Sequence, residues 1–315
     1  MLKGEQLKIK KIFYSLLFCI LLPICLILTG CHSEKQEKVE GLKIVTSFYP
    51  IYAMTNYVSG DLNNIKMIHT NSGIHGYEPS ANDVAAIYDA DVFFYHSHTL
   101  ESWAGQLDAS THHSKVKIIE TSKALPLDKV QGLEDMEVGK GIDPATLYDP
   151  HTWSDPIMAA QEVHDIADKL CKLDPKHKDV YQKNANSFTE EAEAIAKDYK
   201  VKFKSLKKKT FVTQHTAFSY LAKRFGLVQL GISGISPEQE PTARQLKEIR
   251  DFIKTYKVNT IFVEKNVSQK MAKTVAKSTG AKLKELSPLE IDPGENKAYL
   301  NYIDQNLEIL YQELK

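Results

Sequence analysis

From Lys176 to Leu206 neither glycine nor proline interrupts the chain. Asp174-Pro175, just ahead, reads as an N-cap followed by a first helical proline. One helix over 174–206 would be about 45 Å long at 1.5 Å per residue. It is strongly charged, with Tyr181, Phe188, Ile195 and Tyr199 as a sparse apolar stripe. Two readings fit that stripe: a rigid strut crossing between two lobes, or a helix packed on one lobe only.

Both flanks of this rod alternate between strand-like and helix-like stretches. Ahead of it, strands are expected at 42–48, 65–69, 92–95 and 117–120, with helices over 52–58 and 80–89. Ser80 followed by Asp83 forms a capping-box-like start for the second of these. Residues 125–148 have no period and read as a long loop. Asp155-Pro156 opens a helix to about residue 173. Beyond the rod, strands at 210–213, 227–230, 260–264 and 282–286 interleave with helices at 217–225, 242–256 and 268–279. Gly226 and Gly280 end the first and last of these. An amphipathic helix over 299–314 closes the chain. Strand–helix alternation implies parallel sheets. The expected fold is therefore α/β: two Rossmann-like lobes, 42–173 and 207–315, joined by the 174–206 helix. A cleft between such lobes is the default ligand site.

The first thirty residues belong to neither lobe. Lys8, Lys10 and Lys11 precede an apolar run over 12–28, and Leu28-Thr29-Gly30-Cys31 follows. This is the pattern of a secretory signal; at 17 residues the run also sits at the lower limit for a single membrane span. Leu-x-Gly-Cys resembles the bacterial lipobox, which implies cleavage after Gly30, lipid on Cys31 and a polar tether over 31–41. Several acyl chains would hold the protein at a membrane where one alone is marginal. Residues 1–30 contain four lysines and one glutamate, so the remainder carries 36 basic and 39 acidic residues, net −3. That balance gives no electrostatic case for nucleic acid. With lipid on Cys31 only Cys171 remains, which leaves no partner for an intrachain disulfide and suggests a small buried hydrophobe.

Tyr148-Asp149-Pro150-His151-Thr152-Trp153-Ser154-Asp155-Pro156 sets one imidazole between two prolines at the mouth of a helix. A stiffened histidine there suits a metal ligand; a packed turn with a hydrogen-bonded histidine suits the same residues. Three further candidates sit just past expected strands: His75, His215 and Glu290. Ligands in open α/β sheets bind outside the carboxyl ends of strands, and two of the four come from each half of the chain. Three imidazoles and a carboxylate favour Zn²⁺, and four protein ligands close the sphere, which argues for binding rather than turnover.

His75-Gly76-Tyr77-Glu78-Pro79-Ser80, Asp149-Pro150-His151-Thr152-Trp153 and Gln239-Glu240-Pro241-Thr242-Ala243-Arg244-Gln245 resemble the signature stretches of zinc/manganese solute-binding lipoproteins of ABC transporters. The resemblance is strongest to the Gram-positive laminin-binding zinc lipoproteins and covers the chain after the signal. It implies metal held between two lobes by His75, His151, His215 and Glu290. It also implies a monomeric, lipid-anchored receptor on the extracellular face that passes Zn²⁺ to an ABC permease, with laminin adhesion as the alternative activity and no enzyme. Manganese-type members place a carboxylate where this chain has His215, so the resemblance points to zinc. Ile74 stands where many members have proline, and the long His/Asp-rich insertion of some zinc members is missing.

Other residues carry two readings each. His96 and His98 either collect metal near the cleft mouth or are solvent-facing or hydrogen-bonded; His112 and His113 read as exposed. Glu78 either accepts from a ligand imidazole or serves the helix start at Ser80. Glu240 either orients the cleft or favours the next helix's N-terminus. Trp103 and Trp153 read as core or cleft wall.

Overall fold

A computed structural model describes residues 41–68, 73–130, 147–294 and 297–315. The signal, the tether and Cys31 lie outside the described residues, as do most of the 125–148 loop and His69 at the end of the second expected strand. Among the described residues no helix is long and apolar enough to cross a membrane.

The first lobe is a parallel sheet in the order β2-β1-β3-β4, from β1 (Lys43–Thr46), β2 (Asn64–Met67), β3 (Val92–Tyr95) and β4 (Lys117–Glu120). The second repeats the arrangement as β6-β5-β7-β8, from β5 (Thr210–Thr213), β6 (Val228–Gly231), β7 (Thr260–Val263) and β8 (Lys282–Glu285). The expectation of two α/β lobes with parallel sheets is met.

Both sheets are covered on both faces, as parallel sheets require. Successive residues of β3 divide between two cores. Val92 and Phe94 face a large inner cluster, and Phe93 and Tyr95 an outer one beneath α2 (Ala81–Tyr88). In the second lobe Phe211 and Phe262 face the same inner cluster. Val212, Ile261 and Val263 face an outer one with α6 (Ala243–Tyr256) and α7 (Lys270–Thr279). The inner cluster is thus common to the two lobes. It also takes in α1 (Tyr49–Ser59), α3 (Pro156–Leu173), α5 (Ser219–Phe225) and α8 (Tyr299–Leu314).

The rod is α4, Lys178–Lys204, about 40 Å long. It starts later than the sequence suggests. The Asp174 carboxylate accepts from His177 Nδ1 at 2.6 Å and Tyr181 Oη at 2.8 Å instead of capping backbone, so Pro175–His177 forms a separate 3₁₀ turn. The choice between strut and one-lobe packing falls to the strut. Near its start α4 meets the first lobe, with Asn184 Nδ2 donating to Val58 O (3.0 Å) and Tyr57 Oη to Glu191 (2.7 Å). Near its end it meets α8, with Tyr199 Oη donating to Asp304 O (3.2 Å) and Lys202 to Glu308 (3.2 Å). Tyr181, Phe188 and Tyr199 of the stripe are buried; so are Ala185, Ala192 and Phe203, while Ile195 is half-buried. Cys171 is half-buried too, its Sγ 3.7 Å from Lys178 O, less enclosed than its apolar neighbours suggest.

Candidate metal centre

All four candidate residues converge. His75, His151, His215 and Glu290 each present one ligand atom, and these atoms lie within 4.8 Å of one another. His75 Nε2 is 3.1 Å from His151 Nε2, and Glu290 Oε1 lies 3.4, 3.5 and 3.1 Å from the Nε2 atoms of His75, His151 and His215. A tetrahedral zinc with bonds of 2.0–2.1 Å needs donors about 3.3 Å apart. Among the described residues no other group of three or more His, Cys, Asp and Glu side chains is brought together in this way.

Each of the four residues comes from a different local device. His75 lies on the turn between β2 and α2, flanked by Gly73 (φ +89) and Gly76 (φ +66), conformations that glycine adopts without strain. Ser80 and Asp83 form the expected capping box on α2, and Tyr77 Oη also donates to Asp83. His151 begins a single 3₁₀ turn, Thr152–Ser154, before Asp155 caps α3 by accepting from Ile157 N and Met158 N. His215 follows β5, and Thr213 Oγ1 donates to its carbonyl at 2.6 Å. Glu290 follows Leu289, a buried residue with φ +62. The approach to it is fixed by Asn306, whose Nδ2 donates to Ser287 O and whose Oδ1 accepts from Ser287 N. Trp153 Nε1 donates to Pro288 O at 2.8 Å, so the turn bearing His151 braces the loop bearing Glu290.

Two carboxylates that sequence reading did not assign set the imidazole tautomers. Asp149 Oδ1 is 2.7 Å from His151 Nδ1, and Glu264 Oε1 is 2.5 Å from His215 Nδ1. With Nδ1–H donated outward, each Nε2 turns a lone pair to the centre, the usual support of a metal-binding imidazole. Asp149 had a visible signal, an Asp two residues before a histidine on a proline-bounded turn; Glu264, 49 residues from His215, had only its place after a strand. Glu78 and Glu240 are exposed, and His151 and His215 take their carboxylates elsewhere.

Electrostatics are opposed by burial and decided by neighbours. Burial works against a charge on His215, but the carboxylates of Glu290 and Glu264 outweigh it and push its pKa up to about 10. Burial likewise opposes charge on His151, and Asp149 reverses the balance and raises it. Burial would raise Glu290, yet His215 and His75 hold it well below the usual carboxylate range. Without a cation, the carboxylates around His151 and His215 therefore favour the protonated imidazoles, and Glu290 stays ionised.

The remaining histidines divide. His96 is fully buried and hydrogen-bonded at both ring nitrogens. His98 is half exposed, 3.4 Å from Glu120. His112 is exposed and stacks on Tyr88. Trp153 is core, edge-on to Phe48 and tilted against His151.

Two Rossmann-like lobes meeting at three imidazoles and one carboxylate define a two-lobed cation-binding protein. The chain belongs to the family described as ZnuA, zinc-uptake complex component A, periplasmic, whose pattern matches residues 44–313. It is 38% identical over 304 residues to the zinc-binding lipoprotein AdcA of Streptococcus pneumoniae, covering 93% of this chain and 60% of AdcA. It thus spans less than two thirds of that relative's length. Among solved structures it is similar to the laminin-binding protein Lmb of Streptococcus agalactiae, described as bifunctional with adhesin and metal-transporting activity. Identity there is 61% and TM-score 0.81, with 88% of this chain and all of that one covered. A Zn(II)-bound variant of AdcAII of Streptococcus pneumoniae gives 60% identity and TM-score 0.84, covering 88% and 99%.

Proposed function

We propose that this protein is a zinc receptor that captures Zn²⁺ outside the cell and delivers it to an ABC permease. His75, His151, His215 and Glu290 are the ligands, and zinc is cargo rather than a resident cofactor. The observation that carries this reading is the convergence of four inward donors, with the outward nitrogens of His151 and His215 on carboxylates. Four protein ligands leave no open position for a reacting water, which favours a receptor over an enzyme. Lipid on Cys31 and a tether over 31–41 hold the monomer at the extracellular face of a Gram-positive membrane. The working division is 42–173 and 207–315 for the lobes and 174–206 for the link. Metal analysis and competition titration of the chain after residue 30 test the assignment. His215→Ala and Glu290→Ala should each weaken zinc strongly; variants that bind as tightly as wild type overturn it.

Adhesion is the second reading, favoured by 61% identity to a protein described as laminin-binding. Laminin binding that survives complete zinc removal and ligand substitution would assign it to a separate surface. Loss of laminin binding together with zinc would tie the two activities to one conformation.

A further inference from the structure

His96 follows β3 and is not one of the four converging residues, yet it is among the most enclosed polar side chains of the first lobe. Its Nε2 is 2.7 Å from Pro150 O and its Nδ1 2.9 Å from Glu162 Oε1, which α3 supplies. A carbonyl oxygen only accepts, so Nε2 carries a hydrogen. The Nδ1–Oε1 contact shares one further proton, whichever atom holds it. The bond to Pro150 is thus the same whether the pair is ionic or neutral.

The ring cannot swing away. His96 N donates to Glu101 Oε1 at 3.0 Å, and its carbonyl accepts from Ser122 N and Oγ. Phe48 and Trp153 stand edge-on to it. Glu162 also accepts from Thr121 Oγ1 at 2.5 Å, and among the described residues its buried Oε2 has no hydrogen-bond partner.

Pro150 O belongs to the peptide whose N–H is that of His151, and this N–H donates to Asp149 Oδ1 at 2.9 Å. One planar unit is therefore pinned at both ends. Its plane sets the direction in which His151 leaves the backbone, and metal sites need ligands held to about 0.5 Å.

We infer that His96, backed by Glu162, is a positioning residue for the metal centre: it fixes the peptide ahead of His151 and so the aim of that imidazole. This rests on the zinc-binding reading above. Glu162 sits on the buried face of α3 beside Met158, Ala159, Val163 and Ile166, where a structural role would be served as well by leucine.

The double variant H96L/E162L removes the grip without stranding a buried carboxylate, a replacement that often leaves stability unchanged, and Pro150 O keeps Thr152 N as a donor at 2.7 Å. Thermal unfolding of the metal-free chain, zinc competition and the d–d absorption of added Co²⁺ are measured on it, on Glu162→Gln and on wild type. The double variant should unfold near wild type, bind zinc about tenfold more weakly, the lower range for a group supporting a ligand, and give an altered Co²⁺ spectrum. Glu162→Gln, whose amide can donate to Nδ1 and leave Nε2–H on Pro150 O, should keep the wild-type spectrum. A double variant with wild-type zinc affinity and Co²⁺ spectrum overturns the proposal. If the double variant does not fold, the His96 Nε2–H resonance of the wild type decides. A slowly exchanging proton coupled to that nitrogen supports the assignment; a nitrogen without one overturns it. Wild type failing to bind zinc or cobalt at all would instead overturn the zinc reading, which is read separately from the variants.

Discussion

Trp153→Phe tests whether the lobes are braced through the site. The indole is fully buried and donates its only N–H to Pro288 O at 2.8 Å across the interface between the two halves. Phenylalanine keeps an aromatic ring against Phe48 and His151 but removes that donor. A buried carbonyl deprived of its donor costs about 1–3 kcal/mol. Roughly 40 Å³ of lost side-chain volume, at ~24 cal/mol per Å³ of cavity, adds about 1 kcal/mol. The sum is a destabilisation of about 2–4 kcal/mol, worth a fall in Tm of roughly 3–7 °C for a chain of this size. Thermal and urea unfolding of the metal-free protein read it directly. Because Pro288 stands two residues before Glu290, zinc affinity measured by chelator competition should fall as well, by about tenfold. A correctly folded variant with a Tm within about 2 °C of wild type would refute the brace, since less than ~1 kcal/mol would then reside in it.

Two further outcomes follow from the charges of the site. Without metal, His215 is pushed up to about 10 by Glu290 and Glu264 against its burial, so near pH 7 it is protonated and zinc must displace that proton. Zinc affinity should therefore rise with pH until about pH 10, and calorimetry near pH 7 in buffers of different ionisation enthalpy should show proton release; none would contradict it. The same shift stabilises the metal-free fold, fully below the unfolded pKa near 6.5 and progressively less as pH rises toward about 10. Variants of the four residues should also differ without metal: His215→Ala takes the imidazole from the buried Glu264 carboxylate, and His151→Ala takes it from Asp149, which keeps Ser219 Oγ and the residue-151 N–H, so both should lower Tm, His215→Ala by more. His75→Ala, on a half-buried turn, should not, and equal Tm values for all three would refute the ranking.

Much of the fold was legible because its punctuation is local. Gly226 and Gly280 take left-handed cap conformations at the ends of α5 and α7, and Asp155-Pro156 caps and opens α3. The start of α4 was misread because a carboxylate that looks like a cap is claimed by His177 and Tyr181, a choice made by packing. The four residues that converge were legible as residues just past strands or at a helix entry. Their supports were not: Glu264 meets His215 only because β7 lies beside β5, and Glu162 meets His96 only because α3 brings it to the residues just past β3 and β4. His96, which follows a strand like a ligand, turned out to be buried behind one.

Residues 149–155 give these parts a common logic. The segment follows the first lobe in sequence, yet the second lobe holds it at several points. Tyr220 Oη donates to Asp149 O at 2.7 Å, Ser219 Oγ donates to the Asp149 carboxylate, and Arg224 pairs with Asp155. Tyr299 Oη donates to Trp153 O at 2.5 Å, and Trp153 reaches Pro288. Asp149 is thus shared between His151 and α5, the helix that follows His215. Opening the cleft by a wide hinge would break these bonds together and strand buried partners at about 1–3 kcal/mol each. With a common core behind the lobes and α4 bound to both, the inexpensive motions are those of single ligand loops. Among the four, the turn carrying His75 is the least tied, half-buried between two glycines and without a carboxylate among its described partners other than Glu290 itself. On the zinc reading proposed above, entry and exit of a cation are easiest at His75, while His151, His215 and Glu290 remain as a preorganised three-sided receptor.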